Sequence, residues 1–78
     1  MVKKRVTLTF PQELLLEPII YTIGHQFNLV TNIHLADITE DKGWLVLELE
    51  GDEKQIEEGL AWVMAKGVRV EPIAGYET

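Results

Sequence analysis

The sequence predicts an α+β domain in which four strands form a sheet and two helices cover one of its faces. Three observations carry that expectation. Four segments, around residues 2–10, 29–38, 44–50 and 68–73, alternate apolar and polar residues with a period of two. Two others, opening near Pro18 and Asp52, repeat apolar residues at helical spacing. The six follow one another as strand, helix, strand, strand, helix, strand in only 78 residues. A chain of that length makes one domain, residues 1–78, with a thin core.

The first strand places Val2, Val6, Leu8 and Phe10 on one face and Arg5, Thr7 and Thr9 on the other, and Pro11 ends it. A loop follows. Pro18 suits the first helical position, where its missing N–H costs nothing, and Ile19, Ile20, Ile23 and Phe27 then line one face. Gly24 would let this helix lie close to the sheet, and His25 falls on its outer side. In the second strand Asn32 and His34 interrupt an apolar run. Strict alternation points these two together and sends Ile33 and Leu35 the other way. The loop Thr39 to Gly43 reads as a hairpin whose glycine takes a positive φ.

The third strand sets Leu45, Leu47 and Leu49 toward the core and Trp44, Val46, Glu48 and Glu50 away from it. Asp52 with Gln55 forms a capping box for the second helix, whose stripe is Ile56, Leu60, Val63 and Met64, with Trp62 partly buried beside it. Lys66 and Gly67 supply a basic last turn and a glycine stop. Pro72 confines the last strand to an edge, and residues 75–78 are expected to fray.

Two strand–helix–strand halves joined by a hairpin make a ferredoxin-like βαββαβ sandwich. Right-handed crossovers then give the antiparallel sheet the strand order 4-1-3-2, with both helices on one face. The other face would carry Arg5, Thr7, Thr9, Asn32, His34, Trp44 and Val46, an open surface suited to docking or ligand contact. The second strand becomes an edge. From Leu29 to Ala36 it holds neither the lysine nor the proline that usually protects an edge, so two copies are expected to pair there as a homodimer.

Composition narrows the function classes. Seven basic against thirteen acidic residues give a net charge of −6, which repels phosphate backbones and anionic membrane surfaces. Nucleic acid is therefore not an expected partner. An RNA platform on this strand order would also need more aromatics on the central strands than Trp44 alone, without an exposed Glu48 beside it. No apolar run is long enough to span a bilayer, and no apolar signal core follows the basic start. A cytoplasmic protein without membrane insertion is expected. With no cysteine, no serine and two histidines of no metal-ligand spacing, neither a nucleophilic triad nor a metal site is expected, and no phosphate-binding loop occurs. The chain reads as a binding or assembly module, not an enzyme, with no cofactor.

Asn32-Ile33 in the second strand, Gly43 in the hairpin, the Gly51-Asp52 helix start and the closing Gly67-Val68-Arg69-Val70-Glu71 together resemble the NIL domain family, over a span from Val6 to about Ile73. His34 stands where the family's Asn-Ile-Leu motif has its leucine. Domains of this family occur at the carboxyl end of ATP-binding subunits of methionine ABC importers and beside ferredoxin modules. The importer versions resemble ACT-type regulatory domains that pair and bind the transported amino acid. The resemblance implies a regulatory domain binding an amino acid such as methionine at a homodimer interface, with Asn32 contacting the ligand. Trp44, Val46 and Ile38 would wall a thioether, and His34 would sit on the Asn32 face. It further implies a separate transporter or redox protein as the partner that receives the signal. A protein-interaction module that has kept the fold without a ligand is the alternative.

Overall fold

The computed structural model describes residues 1–77, with side chains described up to Ile73. Strands β1 (Val2–Pro11), β2 (Val30–Ile38), β3 (Lys42–Gly51) and β4 (Arg69–Glu77) form one antiparallel sheet in the order β2-β3-β1-β4, the expected topology read from its other edge. Helices α1 (Ile19–Gln26) and α2 (Glu53–Lys66) complete the ferredoxin-like sandwich, and a single 3-10 turn, Gln12–Leu14, links β1 toward α1.

The core lies where the periods place it. Val6, Leu8 and Phe10 of β1 and Leu45, Leu47 and Leu49 of β3 are buried against Ile19 and Ile23 of α1 and Ile56 and Val63 of α2. The two helices touch through Gly59, where a Cβ would come within 3.1 Å of the Ile23 side chain. Gly24 does bring α1 onto the sheet: a Cβ there would stand 3.2 Å from the Leu29 carbonyl oxygen.

Local signals act with small displacements. Pro18 occupies the N-cap of α1 instead of the first helical position, at the centre of a tight turn in which the Ile19 N–H donates to the Glu17 carbonyl at 2.8 Å. Asp52 caps α2 by accepting from the Lys54 N–H at 3.0 Å, one residue short of the expected Gln55. Gly67 closes α2 in the left-handed region, with φ of 109°. β4 lies at an edge as Pro72 requires and its backbone runs on to Glu77, past the point where fraying was expected; Thr78 lies outside the described residues.

Three expectations need correction. Met64 is 53% exposed, because the buried face of α2 is centred on Ile56, Gly59 and Val63 and turns Met64 aside. Gly43 has no positive φ; it is a buried β3 residue paired with Phe10 and Ile38. Its lack of a side chain answers to packing, since a Cβ would lie 2.9 Å from Leu15 Cδ2 and 3.1 Å from Ile38 Cγ1. Third, β2 does not alternate throughout. Ile33 pairs with Leu47 and Leu35 with Val46, so His34 is the extra residue of a β-bulge.

Candidate functional site

The bulge decides what each side of the β2 edge presents. Residues directly opposite in an antiparallel pair share a face. Before the bulge, Asn32 lies opposite Glu48 on the open face and Ile33 opposite Leu47 on the helix-covered face. Past it the parity reverses. Leu35 joins Val46 on the open face, whereas Ile38 lies opposite Gly43 on the helix side. Asn32, His34, Trp44 and Val46 thus share the open face as expected. Ile38 does not: the bulge carries it to the other face, and Leu35, expected there, takes the open one.

On the open face His34 bridges three strands. Its Nε2 lies 3.1 Å from Glu48 Oε1 on β3, and Arg5 Nη2 on β1 lies 3.2 Å from Nε2 and 3.4 Å from Nδ1. With a proton on Nε2, the imidazole donates to the Glu48 carboxylate. The hydrogen bond from His34 holds the Glu48 carboxyl below the ordinary carboxylate range, partly opposed by desolvation and assisted by the charges of His34, Lys3 and Arg5. Around the cluster, Leu35 is exposed, Trp44 is 38% exposed and Val46 is half-buried.

The helix-covered side of the same edge holds an apolar groove of about 210 Å³. Phe10, Leu14, Leu15 and Ile20 line it from the segment running β1 to α1, and Ile33 and Ile38 line it from β2. Gly43, Trp44 and Leu45 of β3 contribute as well, and Glu17 is its single ionisable lining residue. The groove exists because Gly43 has no side chain to fill it and because the bulge brings Ile33 and Ile38, five positions apart, to one face. Its volume is below the range usual for drug-sized ligands and suits a molecule of amino-acid size.

Of the five residues expected to form one site, Ile38 faces this groove and Trp44 borders it from β3 with its side chain on the open face, while Asn32, His34 and Val46 do not line it. Glu48, Leu15, Glu17 and Ile20 were not anticipated as site residues, and Arg5 was expected on the open face without a role in the site. One signal for the groove was in the sequence: Ile33 and Ile38 are separated by an odd number of positions, so both can face the helices only across a bulge. Among the described residues no group of His, Asp and Glu is placed to hold a metal ion, and no helix is long and apolar enough to cross a membrane.

The family model for the NIL domain matches residues 4–72. Among solved structures, the C-terminal domain of an ABC transporter ATP-binding protein from Enterococcus faecalis superposes with a TM-score of 0.82 at 26% sequence identity, covering 94% of this chain and 86% of that one. No curated protein matches the chain.

Proposed function

Since the chain belongs to the NIL domain family, we propose that it is a regulatory domain that binds a small amino acid such as methionine where two copies pair along β2. The observation that carries this reading is the apolar groove beside an edge strand that holds neither lysine nor proline. A thioether or branched aliphatic side chain fits walls of Leu15, Ile20, Ile33 and Ile38, and β2, which supplies two of these walls, is the strand a second copy would meet. Asn32 lies on that strand too but turns to the open face, so a ligand in the groove meets β2 through Ile33 and Ile38.

The domain acts here by binding and not by catalysis, and passes its state to a separate protein. The likeness to a C-terminal domain of an ABC transporter ATP-binding protein supports a transporter in that role. Calorimetric titration with a panel of amino acids tests the proposal, with Trp44 fluorescence as a second reporter. Saturable binding of methionine or an apolar relative is expected, weakened by Ile38→Asp within the groove. If no amino acid binds at millimolar concentration and Asn32→Ala alters assembly alone, the domain is a protein-interaction module instead.

A further inference from the structure

We propose that Glu17 is the group that recognises a ligand's ammonium in the groove, and that Lys66 is the partner this ammonium displaces from the carboxylate. The inference rests on the reading that an apolar amine or amino acid lodges in the groove, and adds which of its charges is read and by what. Every other lining residue is apolar, so Glu17 alone sets the sign of charge the groove favours. A carboxylate beside an apolar wall selects a cationic head on an apolar arm and disfavours an anion of the same shape.

The contacts of Glu17 show how it would exchange partners. Lys66 Nζ lies 3.6 Å from Glu17 Oε1, longer than a close charge-assisted hydrogen bond, and both side chains are well exposed at 40% and 45%. This is a loose pair that costs little to part. Lys66 also lies over the Trp62 ring, 5.4 Å from its centroid, and so keeps a cation–π contact when Glu17 turns away. An ammonium already sits on this carboxylate, and a ligand's ammonium would replace like with like. The ligand's own carboxylate meets no cation among the lining residues and is left to backbone N–H groups of the β2 edge or to water.

The role of Glu17 predicts opposite effects for the two halves of one ion pair. Calorimetry would compare methionine, its deaminated analogue and its decarboxylated analogue on the wild-type chain, Glu17→Gln and Lys66→Gln, with each variant's melting temperature confirming that it folds. Glu17→Gln is expected to weaken methionine and the decarboxylated amine by about fivefold while leaving the deaminated acid unchanged, and Lys66→Gln to tighten both amines. If both substitutions shift the amines in the same direction, or Glu17→Gln weakens all three ligands alike, Glu17 merely ties the start of α1 to the end of α2 and the proposal fails. Should methionine not bind but the decarboxylated amine bind in a Glu17-dependent way, the ammonium site stands and the amino-acid reading falls. If neither amine binds the wild-type chain, both fall.

Discussion

β2 and β3 are hydrogen-bonded neighbours of nine and ten residues, yet solvent meets them differently. β3 alternates strictly between buried and more exposed positions from Gly43 to Gly51. In β2 every residue is exposed except the half-buried Thr31, although Val30, Ile33, Leu35 and Ile38 are as apolar as the leucines of β3. The difference comes from what lies over and beside each strand. β3 is flanked by β2 and β1, with helices above its leucines. β2 has a neighbour on one side only, and α1 meets it at its start, where Gly24 approaches Leu29 and Thr31. The same side chains therefore stabilise the fold in one strand and are left available for association in the other.

Truncation should separate the two strands most widely. Leu47→Ala, at a fully buried β3 position, is expected to cost about 2–5 kcal/mol in urea denaturation. Ile33→Ala, directly opposite but 55% exposed, should stay within roughly 0.5 kcal/mol for the monomer. Comparable losses at the two sites would mean that β2 is covered within a single copy.

A charge on the edge sharpens the contrast from the other side. Leu35→Lys places on β2 the kind of residue that blunts edges, and should convert a micromolar dimer to a monomer in multi-angle light scattering with little change in the monomer's own stability. A wild-type chain already monomeric at that concentration would count against pairing through β2.

The smallest expected effect concerns the link between the strands. Because the folded state lowers the Glu48 carboxyl below its unfolded value, Glu48 contributes stability that is present above the ordinary carboxylate range and lost as the pH falls through its folded value. Glu48→Gln should therefore lower the urea midpoint at neutral pH. The gap from wild type should close on acidification. A gap independent of pH would show that the His34–Glu48 contact contributes through shape and not through charge.

Much of this molecule was legible in residue order. The order of elements, the inward faces of β1 and β3, the glycine stop at Gly67, the edge place of the Pro72 strand and the sheet topology all follow from periods and turn chemistry acting over a few residues. The candidate site was legible only in part, because two of its determinants act across strands. Gly43 looks like a turn glycine and proves to be a packing one, and only the approach of Leu15 and Ile38 distinguishes the two.

By itself, the sequence determined that β2 would be an edge, short of protecting charges, with Asn32 and His34 turned to the open face. Only the tertiary structure decided where the rest of that strand points. A period of two persists only while each residue finds one partner, and at His34 the pairing with β3 slips by one, exchanging the faces of Leu35 and Ile38. That slip places Ile38 beside Ile33, leaves His34 between Arg5 and Glu48, and opens the groove over Gly43.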